Sequence, residues 1–336
     1  MCICQGVSPS VLSWLCEDPR VPSHSQQAFR SALAFVDRWQ GLREAYRTLP
    51  PPERSLSTQP DVFVFDCHNT ESVPGKIIPT PENCTDPTAF EALSYTRNFI
   101  VFMDKIFARN SLDDAGFTVI SSVHYSRSYP NAFWNGSQTA FGDGDGLIFK
   151  GMTNADDFVG HELAHGLTQY TAKLKYEGEA GALNESISDI FGSMARQWKR
   201  RWTAETADWV IGSDMMGTVA IQNNWLCLRS LKDPMAISSL SKQAMHYRDY
   251  NPDGWPHDNS GISNHAFFLA AQALGGYSWE SYGRVWYGAM TGTEIHPLTT
   301  FKEFASITLD EARRLFPSAR HVEQHLKGAW QAVGVI

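Results

Sequence analysis

Two imidazoles four residues apart, with a carboxylate beside the first, stand in Gly160-His-Glu-Leu-Ala-His-Gly166. On a helix such a spacing puts His161 and His165 on one face, so the two can grip one ion. Glu162 lies one residue round, near the ion but poorly aimed as a ligand. A carboxylate there can take a proton from a metal-bound water. Such a match arises by chance in on the order of one per cent of chains this long, so further residues must support it. They come in Asn184-Glu-Ser-Ile-Ser-Asp189, after the hinge-like Glu177-Gly-Glu-Ala-Gly181. Glu185 can supply a third ligand. Asp189, four residues on, can bond the far nitrogen of a ligand histidine, and Asn184 belongs to the same supporting layer. Two histidines and one carboxylate leave a fourth position for water, the pattern of a catalytic zinc site rather than a structural one. Singly, each residue has a plainer reading: a core histidine, or a helix-surface acid. Together they point to metal-assisted hydrolysis.

The elements that must carry these residues are legible in outline. From Asp156 to the end the apolar spacing is mostly helical. Ahead of it, Asp61–Phe65 reads as a strand, 89–107 as a helix, and 118–123 and 140–149 as strand-like, the last broken at Gly142-Asp-Gly-Asp-Gly146. That turn has the wrong spacing for an EF-hand. Residues 1–50 read as helices, with Ala28–Val36 carrying helical apolar spacing. Leu49–Pro60 reads as an exposed Pro/Ser-rich linker and a nicking site. No internal repeat is present. The layout is α+β in two lobes, β-rich then helical, behind a short helical segment.

With 336 residues and 43% apolar content, the chain can build a sizeable core of two lobes. A net charge of −8 and a pI near 5.8, with no basic block, argue against nucleic acid or an anionic membrane as partner. No apolar run is long enough for a spanning helix. Met1 to Trp14 lacks a secretory pattern, so a cytoplasmic location is expected, with secretion by a route that uses no signal as the alternative. Of six cysteines, three lie in the first 16 residues and the others are scattered, which suits reduced thiols; a Cys67–Cys84 bridge is the other reading.

The chain also resembles the thermolysin-like metallopeptidases over about residues 60–336. The matching stretches are His161–Ala172, Gly181–Gly192, Asn131–Gln138, Gly142–Gly146, Leu228–Pro234 and His257-Asp-Asn-Ser-Gly-Ile-Ser-Asn264. The short N-terminal segment is similar to the protealysin branch. The resemblance implies a two-lobed thermolysin-like fold with the zinc helix at the base of a cleft: propeptide and linker over 1–58, a β-rich catalytic lobe over 59–172, and a helical lobe over 173–336. It implies a zinc-dependent endopeptidase acting on proteins or peptides, cutting before bulky hydrophobic residues and made with its own short propeptide. The alternative is a zinc-binding interaction protein with a decayed protease fold.

By that resemblance, Tyr176 and His257 donate to the oxyanion. Asn131 and the Ala132 backbone hold substrate extended, and Arg229 binds a substrate carbonyl. Phe158, Ile211 and Leu228 line the pocket after the cut bond. Asp249 or Asp253 orients His257. Arg196 stands where an acidic calcium ligand is usual, and Val210 and Ser213 also replace ligands, although Asp157 and Asp208 remain. The calcium site beside the active site is therefore expected to be lost or weakened, with Asp156 and Asp157 serving as acids at a helix start. For the N-terminal segment, Pro9–Leu12 is expected to enter the cleft, with a thiolate of Cys2, Cys4 or Cys16 on the zinc as a sharper variant.

Overall fold

Short β-branched and aromatic runs become strands in this chain, and long runs with apolar residues three and four apart become helices. The computed structural model describes residues 4–46 and 60–336. The strands are β1 (Cys4–Gln5), β2 (Val62–Asp66), β3 (Lys76–Ile77), β4 (Val119–Val123), β5 (Ala132–Trp134), β6 (Thr139–Phe141), β7 (Val210–Ile211) and β8 (Arg229–Ser230). The first six form one sheet in the order β1-β5-β6-β4-β2-β3. β4 runs parallel to both β2 and β6, and the other pairs are antiparallel. β5, buried throughout, would be an open edge were it not paired with β1.

The helices are α1 (Pro9–Glu17), α2 (Ser23–Tyr46), α3 (Pro87–Phe107), α4 (Asp156–Tyr170), α5 (Gly178–Arg200), α6 (Thr218–Gln222), α7 (Pro256–Asn259), α8 (Gly261–Leu274), α9 (Tyr282–Thr291), α10 (Phe301–Leu315) and α11 (Arg320–Ala332). Their ends are set by local chemistry. Ser8 caps α1 by accepting from the Val11 amide, with Pro9 in the first turn. Thr300 and Glu303 form a capping box on α10.

One expectation needs correction. The strand-like stretch 140–149 is strand only at its start: Asp145 draws the Ile148 and Phe149 amides to its carboxylate and turns the chain. β1, β3 and β5 are too short to leave a periodic signal. Cys67 and Cys84 are both free; Cys67 Sγ faces Pro74 O and Cys84 Sγ faces Pro81 O. Most of the Leu49–Pro60 linker, and Cys2, lie outside the described residues.

The N-terminal segment packs on both lobes. Phe29 meets Phe149 edge-on at 6.2 Å and Phe35 meets Tyr125 at 5.6 Å. On the other side, Trp14 meets Trp225 at 5.1 Å, and Ser10 Oγ donates to Asp258 at 2.6 Å. Val7, Leu12, Leu15 and Phe29 are wholly buried, each contributing up to about 1.5–3 kcal/mol.

The two central helices, α4 and α5, cross where both lack side chains. A Cβ on Gly160 would lie 3.0 Å from the Gly192 Cα. A Cβ on Gly192 would press into the Asp157 carbonyl and lie 2.9 Å from the His161 amide nitrogen. The backbones can therefore approach one turn from the residues that carry the chemistry. Gly192→Ala is expected to cost about 1–3 kcal/mol of stability, as overpacking of a tight core does. Chemical denaturation reads this directly; an unchanged midpoint would show that the helices can part freely here.

Candidate metal centre and cleft

His161 and His165 lie one turn apart on α4, and Glu185 faces them from α5. One ligand atom from each lies within 4.8 Å of the others. The two Nε2 atoms are 3.1 Å apart; Glu185 Oε2 is 3.4 Å from His161 Nε2, and Oε1 is 3.6 Å from His165 Nε2. Atoms bound tetrahedrally to one zinc at ~2.0–2.1 Å would be ~3.3–3.4 Å apart, so the triangle fits that ion.

The far side of each ring is fixed. His161 Nδ1 meets Asp189 Oδ1 at 2.8 Å, and His165 Nδ1 meets Asn184 Oδ1 at 2.9 Å and Ser188 Oγ at 3.0 Å. Protons held at Nδ1 leave both Nε2 lone pairs facing Glu185, which suits a cation. Asp189 is itself held by Arg229, with Nη2 at 2.8 Å, and by Asn264 Nδ2 at 2.9 Å. Ser188 and Asn264 lie within quoted stretches of the sequence but carry no mark of this role there, because polar side chains pointing inward from a helix look like any surface serine or asparagine.

All these groups are buried, and the charges answer each other. Burial pushes His165 down to about 3. Burial opposes the charge on His161 too, yet Asp189 and Glu185 outweigh it and hold it up at about 9. A proton there occupies the electrostatic place that a metal cation would take. Glu162, on the same turn, is wholly buried, and that burial raises its carboxyl to about 8 against the pull of His161. A divalent cation beside it would favour its ionised form.

Across the cleft, Tyr176 Oη donates to Glu185 Oε1 and lies 3.4 Å from His257 Nδ1. His257 is buried, with Nε2 3.3 Å from Glu185 Oε2. Asp249 and Asp253 are exposed, and no bond from either to His257 is seen among the described residues; the expected orienting acid is not there.

The cleft is filled by the chain's own start. The Gly6 amide donates to Ala132 O at 3.2 Å, and Gly6 O accepts from Arg229 Nη1 at 2.6 Å. The Val7 amide donates to Asn131 Oδ1 at 2.8 Å, and Asn131 Nδ2 donates to Val7 O at 3.0 Å. Gln5 O lies 2.5 Å from His257 Nε2. The expected occupant, Pro9–Leu12, instead begins α1. Cys16 is not at the metal residues: its Sγ faces Gln26 O between the two N-terminal helices. Cys2 and the Cys4 side chain lie outside the described residues.

Phe158, Ile211 and Leu228 are all wholly buried. A Cβ on Gly6 would fall well inside van der Waals contact with Phe158 Cζ and Cε2, and 2.5 Å from Glu162 Oε1. The Phe158 ring and the Glu162 carboxylate thus stand where a Cβ of residue 6 would point.

Beside the start of α4, Arg196 gathers acids. Nη1 lies 3.2 Å from both Asp156 Oδ1 and Asp157 Oδ2 and 2.8 Å from Asp214 Oδ2; Nη2 is 3.3 Å from Ser213 Oγ and 3.5 Å from Asp208 Oδ2. Asp157 also accepts from the Gly212 amide at 3.1 Å, next to Ile211. Asp214 was not foreseen; its approach depends on a loop that the sequence does not place.

Comparison with known proteins is consistent across the whole length. Residues 56–169 match the family model described as the thermolysin metallopeptidase catalytic domain, and 172–335 that of its alpha-helical domain. The chain is 39% identical to a protein of Pectobacterium carotovorum subsp. carotovorum named extracellular metalloprotease, over 99% of this chain and 96% of that one. It is 33% identical to a thermolysin of Alicyclobacillus acidocaldarius over 82% of its length, which is about half (51%) of that longer relative. Among solved structures it is similar to the precursor of protealysin from Serratia proteamaculans, with a TM-score of 0.86, 36% identity, and 99% and 100% of the two chains covered. The cytoplasmic location expected from the sequence does not stand, since the Pectobacterium relative, which spans nearly the whole chain, is named as extracellular. Among the described residues no helix is long and apolar enough to cross a membrane.

Proposed function

Because this chain belongs to the thermolysin metallopeptidase family, in a protealysin-like form, we propose that His161, His165 and Glu185 hold its zinc ion and that Glu162 is its catalytic base. The protein is a metalloendopeptidase made as a precursor with an N-terminal propeptide. The observation that carries the residue assignment is the convergence of three buried ligand atoms within 4.8 Å, beside the wholly buried carboxylate of Glu162. We assign residues 1–58 to the propeptide and linker, 59–172 to the β-rich lobe with the zinc helix, and 173–336 to the helical lobe.

Zinc bound there supplies Lewis acidity, which polarises a peptide carbonyl and makes water easier to deprotonate. Glu162 accepts the water proton and passes it to the leaving nitrogen. His257 and Tyr176 donate to the carbonyl oxygen as it gains charge, each such donor typically contributing ~3 kcal/mol. The 2.5 Å contact between His257 Nε2 and Gln5 O supports this, since a carbonyl already lies against that donor. Asn131, Ala132 O and Arg229 hold the following residues extended. Asp189, Asn184 and Ser188 keep both ligand rings aimed.

The propeptide uses the same groups as a substrate would, and so blocks the cleft until it leaves. Calcium has no role at Arg196 in this reading: a guanidinium satisfies the four acids that would otherwise call for a cation. We place the enzyme's action outside the cell, on protein and peptide substrates.

Glu162→Gln should lower kcat on casein or a peptide at least ~100-fold while zinc content stays near one per chain. Unchanged cleavage by that variant defeats the mechanism. Cutting the chain between residues 47 and 59 should raise peptide hydrolysis, and equal rates before and after would remove the blocking role. At fixed zinc, adding calcium should leave the melting midpoint where it was, whereas Arg196→Met should cost ~3–5 kcal/mol by leaving the buried Asp157 without a charged partner. A large calcium-dependent rise in the wild-type midpoint would contradict this.

A further inference from the structure

We infer that Phe158 closes the pocket for the side chain that follows the cut bond, so that this enzyme cuts before glycine and the smallest residues. The inference rests on the peptidase reading above and concerns which peptides fit it.

The N-terminal segment gives the register. The carbonyl that meets His257 belongs to Gln5, so the residue on the far side of the presented bond is Gly6. Its amide donates to Ala132 O and its carbonyl accepts from Arg229 Nη1 at 2.6 Å; the next residue is held at both backbone groups by Asn131. Four backbone contacts therefore fix where the α-carbon after the bond must lie and which way its side chain must point.

That direction is blocked at the first atom. A Cβ on residue 6 would overlap Phe158 Cζ and Cε2 and approach Glu162 Oε1 to 2.5 Å. Neither neighbour yields easily. Phe158 is wholly buried on the first turns of α4, and its ring lies parallel to the His161 imidazole, with 5° between planes and centroids 6.1 Å apart. Turning the ring away would need room in a packed interior. Glu162 is the proposed base, so displacing it would cost the reaction itself. A glycine passes between the two; a leucine or phenylalanine has to expel a ring of its own size. Phe158 thus acts as a specificity-determining residue, and a smaller side chain there would reopen that space.

The test compares kcat/KM on peptides that differ only in the residue after a single cut bond: Gly, Ala, Leu or Phe. The enzyme is the full-length chain loaded with zinc and nicked between residues 47 and 59. Mass spectrometry locates the cut. Wild type should favour Gly over Leu and Phe by at least ~100-fold, with Ala between. Phe158→Val should raise cleavage before Leu at least ~10-fold and shrink the ratio, and Phe158→Leu should fall between the two. Cleavage by wild type before Leu or Phe as fast as before Gly overturns the inference and leaves the peptidase reading intact. So does an unchanged ratio in a Phe158→Val protein that keeps its zinc and its melting midpoint. If that variant does not fold, the wild-type ratios decide alone. Failure to cut any peptide with zinc bound defeats the peptidase reading and this inference with it.

Discussion

Everything at this centre depends on bringing several ionisable groups out of water and holding them within a few ångströms of one another. Desolvation alone would drive such groups neutral or apart. Two features oppose it. The first is steric: with glycine at 160 and 192, α4 and α5 meet backbone to backbone, and His161 and Glu185 come within 3.4 Å. The second is electrostatic. Each ring is held from behind, His161 by Asp189 and His165 by Asn184 and Ser188, while Asp189 is neutralised by Arg229. Burial works against the ionised form of Asp189, yet Arg229 and His161 hold its carboxyl down at about 2.

Arg229 joins two tasks in one side chain. Its Nε and Nη2 grip Asp189, and its Nη1 reaches the carbonyl of Gly6. The planar fork allows both at once, which a lysine could not do. Chain bound in the cleft is thereby linked to the histidine that Asp189 orients. The N-terminal segment exploits the whole arrangement: it adds β1 to the open edge of β5, places one carbonyl on His257 and the next on Arg229, and then turns into α1 at Ser8. Main-chain pairing supplies the attraction and the side-chain positions supply selectivity, as in other cases of strand addition.

The start of α4 shows a second way of stabilising buried acids. Asp156 and Asp157 sit at the helix N-terminus, where its dipole favours negative charge, and the guanidinium of Arg196 reaches them from α5. Arg200 adds a further contact to Asp156 at 2.9 Å. The same cluster ties in Asp208 and Asp214 from the loop around β7, so the wall bearing Ile211 is fixed relative to the zinc helix.

The sequence by itself determined what a single helical turn can hold. His161, Glu162 and His165 fall within five residues of one helix, and Glu185, Asn184 and Asp189 lie within two turns of another; their spacing needs no knowledge of the fold. That Arg196 stands where an acid is usual came only through the resemblance to the family, since a single letter shows no change by itself. Only the tertiary structure decided what depends on approach between distant segments. That Asp189 meets Arg229, that Gly6 rather than Pro9 lies on the catalytic groups, and that Phe158 fills the space beside it are all matters of where backbones cross. A sequence records which side chains are present along a strand or helix. Which of them run out of room is set by packing across hundreds of residues, and for Phe158 that packing turns an expected pocket lining into the pocket's contents.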